Sequence, residues 1–348
     1  MGNMRVLLTG HDGYIGSVMA RVLTGAGHAV TGLDTYLYEG CTFGDEPAPV
    51  PAIRKDVRDV TVADLRGFDA VIHLAALSND PLGHLNERCT YDINHLGSVR
   101  LAAAAKKAGV PRFLFASSCS LYGAAGNQML NEDAAFNPVT SYGTSKVLVE
   151  ADVSKLADDT FSPTYLRNAT AYGLSPRLRS DIVVNNLVGV AFTTGEIVMQ
   201  SDGTPWRPLV HIEDISRAFL AVLEAPRGAI HNEAFNVGNS SENYQMRDVA
   251  EIVREVVPGS VIKYLEGGGP DPRCYRVDCG KLSRHLPGFE TTWDVRRGAK
   301  ELYDGFVRYQ LTREMFSSYT RIKRIQELLG TGRLDASLCW QPANAAAG

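Results

Sequence analysis

Short apolar runs alternate with longer amphipathic segments through the first half of the chain. The runs are about five residues long, a length typical of buried parallel strands, and they lie at 5–9, 29–34, 70–76, 112–118 and 164–169. Segments with helical periodicity separate them, at 14–27, 91–109 and 141–157. Gly27 and Gly109 stand where helix C-caps are expected. Because strand–helix–strand units cross over in a right-handed sense, the alternation predicts an α/β fold with a doubly wound parallel sheet.

The rhythm loosens after about residue 175. Helix-like segments at 181–194, 213–224 and 246–256 are separated by Gly- and Pro-rich connections. We therefore expect a large domain over 1–175, its sheet completed by later segments at about 205–240, and a smaller mixed α/β lobe over 176–311 that is interleaved with it. In the tail, 312–348, the pattern predicts a helix over 312–334 and disorder over 341–348.

Composition and charge exclude several classes of protein. The chain has 348 residues and a net charge of −4, which leaves no basic surface for nucleic acid. No apolar run approaches the roughly 18 residues that a membrane span needs, and the first residues lack the features of a signal peptide. The six cysteines show neither a CxxC pair nor a metal-ligand spacing. We expect reduced thiols, no metal site, and a cytoplasmic protein that binds neither nucleic acid nor membrane.

Three glycines at three-residue intervals follow the first strand. Gly10 ends the strand at a tight turn, Gly13 leaves no Cβ between the backbone and a pyrophosphate, and Gly16 lets the next helix pack close to the strand. A βα turn without a ligand would also explain glycines alone. Asp34, however, ends the second strand 18 residues after Gly16, near the ~20 residues expected for an acid that binds the adenosine ribose. Because a carboxylate accepts from the 2′-hydroxyl and repels a 2′-phosphate, the pattern predicts NAD rather than NADP.

The spacing Thr-Gly-x-x-Gly-x-x-Gly in "TGHDGYIG" resembles the short-chain dehydrogenase/reductase superfamily, and in particular its extended branch, the nucleotide-sugar epimerases and dehydratases. The resemblance implies a Rossmann-type NAD-binding domain over 1–175 and a substrate-binding lobe over 176–311. It also implies that Asn94 steadies the strand behind the cofactor. Further cofactor contacts are implied at Tyr14, Ile15, Asp56, Val57, Leu74, Ala75, Ala76, Ser78 and Asn168.

Tyr142 and Lys146 stand four residues apart in "SYGTSK", so they share one face of a helix. A nearby ammonium favours phenolate and lowers the pKa of a tyrosine, although the same spacing also occurs in surface pairs. Ser118 lies at the carboxyl end of a predicted strand, where open α/β sheets bind ligands. The resemblance makes Tyr142 the acid/base, Ser118 the hydroxyl that bonds the reacting sugar oxygen, and Lys146 a ligand of the nicotinamide ribose.

The two residues after Ser118 discriminate between reactions. The 4,6-dehydratases of the family carry Asp-Glu there, and its UDP-glucuronate decarboxylases carry Glu at the second position. Cys119 and Ser120 cannot replace a carboxylic acid/base pair at neutral pH. The remaining resemblance is to 4-epimerases, in which both positions are small and non-acidic. Cys119 and Ser120 are therefore candidate substrate contacts, although a buried structural thiol is the favoured interpretation for Cys119.

The second half offers candidate substrate ligands. "VVNNLV" resembles a segment that contacts the nucleotide diphosphate, and two later segments place arginines where a guanidinium fork would bind phosphate, although an unpaired surface arginine is the alternative for each. The implied substrate contacts are Asn186, Leu187, Arg207, Asp271 and Arg273, with Thr170 near the sugar. Thr170 and Asn168 depart from the family pattern, as does the proline after Arg207. These departures favour an unusual hexose or heptose, or a different nucleotide.

These observations predict an NAD-dependent enzyme that inverts C4 of a nucleotide-diphosphate sugar through a transient 4-keto intermediate. The nearest alternative is a nucleotide-sugar 4-ketoreductase or dehydrogenase that releases its NADH, and Asp34 does not separate the two. A non-catalytic, dinucleotide-sensing protein on the same scaffold is a remote alternative, since such proteins often lose the Tyr/Lys pair. The resemblance also implies a homodimer that pairs through helices at 92–108 and 142–158.

Overall fold

The computed structural model describes residues 2–78, 86–265 and 273–342. Its strands, in chain order, are β1 (Arg5–Thr9), β2 (Ala29–Asp34), β3 (Ala52–Arg54), β4 (Ala70–His73), β5 (Arg112–Ser118), β6 (Ala124–Leu130), β7 (Ser162–Asn168), β8 (Thr170–Tyr172), β9 (Glu196–Met199), β10 (Trp206–His211), β11 (Ala234–Val237), β12 (Asn243–Gln245), β13 (Val261–Tyr264) and β14 (Cys274–Val277).

The helices flank these strands. They are α1 (Gly16–Gly25), α2 (Val62–Leu65), α3 (Glu87–Thr90), α4 (Ser98–Lys107), α5 (Ser141–Ser154), α6 (Val183–Thr194), α7 (Ile212–Glu224), α8 (Arg227–Ile230), α9 (Met246–Val256), α10 (Gly280–His285), α11 (Val295–Arg308), α12 (Arg313–Ser318) and α13 (Arg321–Gly330). Short 3₁₀ turns lie at Val57–Asp59 and Cys119–Tyr122, and a π-helical segment, Tyr91–Gly97, leads into α4. No helix within the described ranges is both long and apolar enough to cross a bilayer.

The main sheet has seven strands in the order β11-β7-β5-β4-β1-β2-β3. All six neighbouring pairs are parallel. This confirms the predicted α/β class with a Rossmann-type parallel sheet. The chain order reverses between β1 and β4, which leaves a crevice at the carboxyl ends of these strands, where ligands bind in open α/β sheets.

Both faces of the main sheet are covered, as an all-parallel sheet requires. On β1, Leu8 packs with α1 and α7 residues in one apolar cluster, whereas its neighbour Leu7 packs with α4 and α5 residues in another. Successive side chains of a strand point to opposite faces, so these two clusters form the two layers of core. β4 has four buried residues and β7 has seven, because each lies inside the sheet with strands on both sides.

The remaining strands form small sheets, β12-β10-β8, β13-β9 and β14-β6. Together with α6, α9 and α11 they surround a third apolar cluster, which includes Val188, Val249 and Leu302. Of the segments expected at about 205–240 to complete the main sheet, β11 does so, but β10 pairs with β8 and β12 instead.

Several element boundaries differ from the sequence prediction. β4 ends at His73 rather than at residue 76, because the chain turns into the cavity described below. The tail predicted as one helix over 312–334 forms two helices, α12 and α13, with Tyr319 and Thr320 between them. The disorder predicted for 341–348 falls largely on residues that lie outside the described ones.

Candidate active site

A cavity of about 880 Å³ opens at the carboxyl ends of the main-sheet strands and extends beneath the small sheets. Most of the residues singled out in the sequence line it: Gly10, Gly13, Tyr14, Ile15, Gly16, Asp34, Asp56, Val57, Leu74, Ala75, Ala76, Ser78, Ser118, Ser120, Tyr142, Lys146, Asn168, Thr170, Asn186, Leu187, Arg207 and Arg273. Asn94 and Cys119 lie behind the wall, and Asp271 falls outside the described residues.

The glycine turn is a cradle that side chains would fill. Gly10 has a φ of +74°, and a Cβ there would lie 2.8 Å from the backbone nitrogen of Ala75. A Cβ on Gly16 would lie 2.0 Å from the carbonyl oxygen of Gly10. The sequence pattern predicts that Gly16 closely approaches the strand. In the structure, Gly16 closely approaches the turn itself. The first turn of α1 faces the cavity, so its backbone N–H groups are available to an anion.

Asp34 lies at the end of β2, next to this turn. Its carboxylate accepts hydrogen bonds from the backbone N–H of Asp12 (3.1 Å) and of Tyr36 (2.8 Å), which fix its orientation. Burial raises the pKa of the Asp34 carboxyl, because desolvation of the charge outweighs the two backbone hydrogen bonds and the neighbouring His11. A carboxylate that lines a cavity and retains unused lone pairs suits the hydroxyls of a ribose. The cradle and the acid together fit NAD.

Removing the Asp34 carboxylate should weaken the preference for NAD. A hydrogen bond to a charged group contributes about 1.5–3 kcal/mol, so Asp34→Ala should lower NAD affinity by about tenfold or more while relaxing repulsion of a 2′-phosphate. Calorimetric titration of both dinucleotides measures this change, with Asp304→Ala on the exposed face of α11 as the control. A wild-type protein that binds NADP more tightly than NAD would contradict the role of Asp34.

Asn94 supports the cofactor wall from behind. Asn94 lies in the π-helical segment. Its side-chain oxygen accepts from Leu77 N (2.8 Å), and its side-chain NH₂ donates to Leu77 O (3.0 Å). These two bonds hold the chain after β4, where Leu74, Ala75 and Ala76 line the cavity. Asn94 thus positions a wall of the site without facing it.

Tyr142 and Lys146 project from the first turns of α5 towards the end of β5. The Lys146 ammonium lies 5.5 Å from the centre of the Tyr142 ring and donates a 2.7 Å hydrogen bond to Ala116 O. Lys146 is 3% exposed. Burial lowers the pKa of Lys146 to about 7, against a smaller opposing effect of the Glu150 carboxylate. Its charge is thus poised to change near neutral pH, beside the phenol.

Lys146 should make the stability of the free protein depend on pH. Its folded pKa of about 7 lies below an unfolded value of about 10.4. Between these values the unfolded chain binds more protons, so the contribution of this group to stability rises with pH. We expect Lys146→Met to stabilise the protein on the order of 3 kcal/mol at pH 7, and this gain should shrink towards pH 10.

Denaturant unfolding at several pH values measures this effect. Lys107→Met at the exposed end of α4 serves as the control. A gain that is the same at pH 7 and pH 10 would show that the Lys146 ammonium is not desolvated.

Ser118 and Ser120 line the cavity together with Tyr142. Ser118 caps the 3₁₀ turn that follows β5: its hydroxyl oxygen accepts from Ser120 N (3.1 Å), and its hydroxyl group donates to the Ser120 hydroxyl (2.9 Å). The expected substrate contact at Cys119 requires correction. Its side chain is fully buried and its thiol donates to Arg167 O (3.1 Å), away from the cavity. Burial also raises the pKa of the Cys119 thiol well above its usual value, so it packs as a neutral side chain.

Arg207 and Arg273 line the cavity near Tyr275. Arg207, on β10, is 8% exposed, and its guanidinium lies 5.8 Å from the centre of the Tyr275 ring. Arg273 is exposed and immediately precedes β14. Thr170, Asn186 and Leu187 line the same cavity. Two guanidinium groups in one cavity suit the binding of a diphosphate.

Tyr275 also lines the cavity, although the sequence analysis does not select it. Burial raises its pKa to about 12, while a hydrogen bond with Ser120 acts in the opposite direction. It therefore stays a neutral phenol that links the Ser118 end of the cavity to Arg207.

Asn168, a predicted cofactor contact, lines the cavity, and its side-chain oxygen is buried without a hydrogen-bond partner in the described part of the chain. Four further lining residues were not anticipated. We call the part of the cavity next to the glycine turn and Asp34 the cofactor half. It is also lined by Tyr38 and Arg179, and by two residues of the tail, Arg321 and Leu338. No local motif marks these positions, because they reach the cavity through tertiary contacts.

Comparison with known proteins gives a consistent result. The model of the NAD dependent epimerase/dehydratase family matches residues 6–238. The UDP-glucose 4-epimerase of Corynebacterium glutamicum is 31% identical over 316 residues, which cover 84% of this chain and 93% of that protein. UDP-glucuronic acid decarboxylase 1 of Arabidopsis thaliana is 25% identical over 320 residues, which cover 87% of this chain and 70% of that protein.

Among solved structures, MoeE5 in complex with UDP-glucuronic acid and NAD is 26% identical, with a TM-score of 0.76 over 89% of this chain and 100% of that chain. The matched segment includes the glycine turn, Asp34 and the Ser118–Tyr142–Lys146 group. The chain belongs to the NAD dependent epimerase/dehydratase family of nucleotide-sugar enzymes, and NAD is its cofactor.

Proposed function

We propose that the protein inverts C4 of a nucleotide-diphosphate sugar through a transient 4-keto sugar. The observation that carries this proposal is the neighbourhood of Ser118. The two residues that follow it are a buried thiol and a hydroxyl, where elimination or decarboxylation in this family would use carboxyl groups. Among the described lining residues, the carboxylates are Asp34, Asp56 and Asp181. Each is bound within the cofactor half, to backbone N–H groups, Arg58 and Arg179 respectively.

The reacting groups act on the C4 hydroxyl. Tyr142 takes the hydroxyl proton as C4 is oxidised and returns it when the ketone is reduced. Lys146, within reach of the phenol, favours the phenolate while it carries its proton. Ser118 donates to the C4 oxygen after exchanging its bond with Ser120. The glycine turn, Asp34 and Lys146 would hold NAD, and the chemistry that NAD would supply is reversible hydride transfer at C4.

Inversion also requires a fixed diphosphate and a mobile sugar ring. We infer that 176–311 mainly binds the nucleotide diphosphate, through Arg207 and Arg273 with Asn186 and Leu187, and that 1–175 holds NAD. Near Ser118 the cavity walls carry small side chains, including Ser120 and Thr170, which leave room for the keto sugar to turn. Asp271 remains a proposed ribose ligand.

Incubation with UDP-, ADP-, GDP-, CDP- and dTDP-sugars in D₂O, followed by NMR and mass spectrometry, tests the proposal. We expect C4 inversion with the C6 oxygen kept and no deuterium at C5. A 4-keto-6-deoxy product, or deuterium at C5, would establish a dehydratase, and loss of CO₂ from a uronic acid would establish a decarboxylase. Stoichiometric release of NADH would instead establish a dehydrogenase or ketoreductase. Binding without turnover would favour a dinucleotide-sensing protein.

We further propose a cytoplasmic homodimer that pairs through 92–108 and 142–158. All six cysteines are free thiols, which suits a reducing compartment. Leu96, on the π-helical segment, is 44% exposed. Light scattering should give twice the chain mass of 37.8 kDa, and Leu96→Glu should shift it towards the monomer. Val307→Glu, at an exposed site on α11, is the control. A wild-type monomer at micromolar concentration would contradict this proposal.

A further inference from the structure

The C-terminal segment packs against the cofactor half of the cavity. The Trp340 indole donates to Thr35 O (2.6 Å), directly after Asp34. Arg58 donates to Ser337 O (2.9 Å). Leu338 is 5% exposed and lines the cavity beside Val57. The segment 313–342 therefore forms part of the cavity wall around the end of β2.

Arg321, the first residue of α13, carries a positive charge into this wall. It is 3% exposed, its guanidinium lies 3.8 Å from the centre of the Tyr38 ring, and it donates to Arg177 O (2.9 Å). Within the described ranges it has an aromatic face and a carbonyl as partners, but no ion pair with a carboxylate. A guanidinium that is buried in this way is stabilised by an anion.

Arg179 brings a second guanidinium to the same place. It is 7% exposed; its Nε donates to Asp181 (2.8 Å) and its Nη1 to Ser78 (3.1 Å). Its Nη2 is buried and has no hydrogen-bond partner among the described residues. One donor of a planar fork is therefore unused in a cavity-lining side chain.

The backbone of Arg179 is tied to the glycine turn. The Asn185 amide donates both to Arg179 O (3.0 Å) and to the Tyr14 hydroxyl (3.1 Å). Tyr14 directly follows Gly13, so this bridge ties the backbone of Arg179 to a side chain of the glycine turn. The substrate-side arginines, in contrast, lie near Tyr275.

Ion pairs account for two of the three guanidinium groups in this cluster. Asp181 pairs with Arg179, and Asp12 and Glu46 pair with Arg177. Arg321 has no ion pair among the described residues, and the Nη2 of Arg179 has no acceptor among them. We propose that Arg179 and Arg321 form a cationic subsite for the pyrophosphate of NAD, and that the C-terminal segment retains the cofactor by holding Arg321 in place. A diphosphate would pair with Arg321 and accept from the Nη2 of Arg179.

Binding measurements on variants test the subsite without relying on turnover. We expect Arg321→Gln and Arg179→Gln to weaken NAD and ADP binding by about tenfold or more, while adenosine and UDP bind as in the wild type. Lys323→Gln, at an exposed site on the same helix as Arg321, is the control. Bound NAD should also leave the two variants faster during gel filtration. Weaker UDP binding with unchanged ADP binding would assign the arginines to the substrate instead, and unchanged binding of both would overturn the subsite.

Hydrogen exchange on the wild-type protein provides a test that does not depend on the folding of a variant. Saturation with NAD should slow amide exchange across 321–340 relative to the cofactor-free protein, and UDP alone should not. Equal exchange in this segment with and without NAD would overturn the retaining role of the tail.

Discussion

Tyr142→Phe should lower the rate of C4 inversion by about 10³-fold, within the 10²–10⁴-fold range that positioned acid–base groups contribute. The variant keeps the ring beside Lys146 but removes the phenol oxygen that takes the C4 hydroxyl proton in the proposed reaction. NAD binding should change little, because the glycine turn and Asp34 hold the other end of the cofactor. Steady-state inversion rates and NAD content per chain measure the two effects.

Tyr264→Phe provides the matched control, since Tyr264 is 53% exposed at the end of β13 and is not a lining residue of the cavity. Full activity of Tyr142→Phe would mean that another group moves the proton. Loss of NAD together with activity would mean that Tyr142 has a structural role, and the kinetic result would not then report on chemistry.

Arg207→Ala should weaken binding of a free nucleoside diphosphate by about 10- to 150-fold, which corresponds to the ~1.5–3 kcal/mol of a charge-assisted contact. The inversion rate at saturating substrate should fall less, because the contact is made both before and during reaction. Arg273→Ala should act in the same direction but more weakly, since Arg273 is exposed and screened by solvent.

Calorimetric titration with UDP, or with the nucleotide found by the substrate screen, measures the effect of Arg207. Arg254→Ala on the exposed face of α9 is the control, because it removes the same charge elsewhere in the same lobe. Unchanged affinity in Arg207→Ala would contradict the assignment of this end of the cavity to the diphosphate.

Residues whose role is set by local chain geometry could be predicted from the sequence. Gly10 needs its positive φ at the end of β1, and Asp34 follows directly from the end of β2. Tyr142 and Lys146 share a helix face through their spacing alone. In each of these cases the element that presents the side chain is continuous in the chain, so a periodic pattern is sufficient to place it.

Residues brought to the cavity by tertiary packing could not be predicted in this way. Tyr275 belongs to β14, which pairs with β6 across more than 140 residues of chain. Arg321 reaches the cofactor half because α13 packs against the chain after β2, and nothing in its local sequence records that partner. The pattern of the tail predicts one helix, because its helical periodicity continues through Tyr319 and Thr320. In the structure the backbone turns at these two residues, between α12 and α13.

The central claim is that the same hydrogen leaves C4 and returns to its opposite face. A nucleotide sugar that carries deuterium at C4 tests it most directly, when incubated in ordinary water with the enzyme and its bound NAD. The account predicts that the product epimer retains the deuterium at C4, as read by mass and NMR. Exchange of the label with solvent, or a product with inverted C4 but no deuterium, would contradict it.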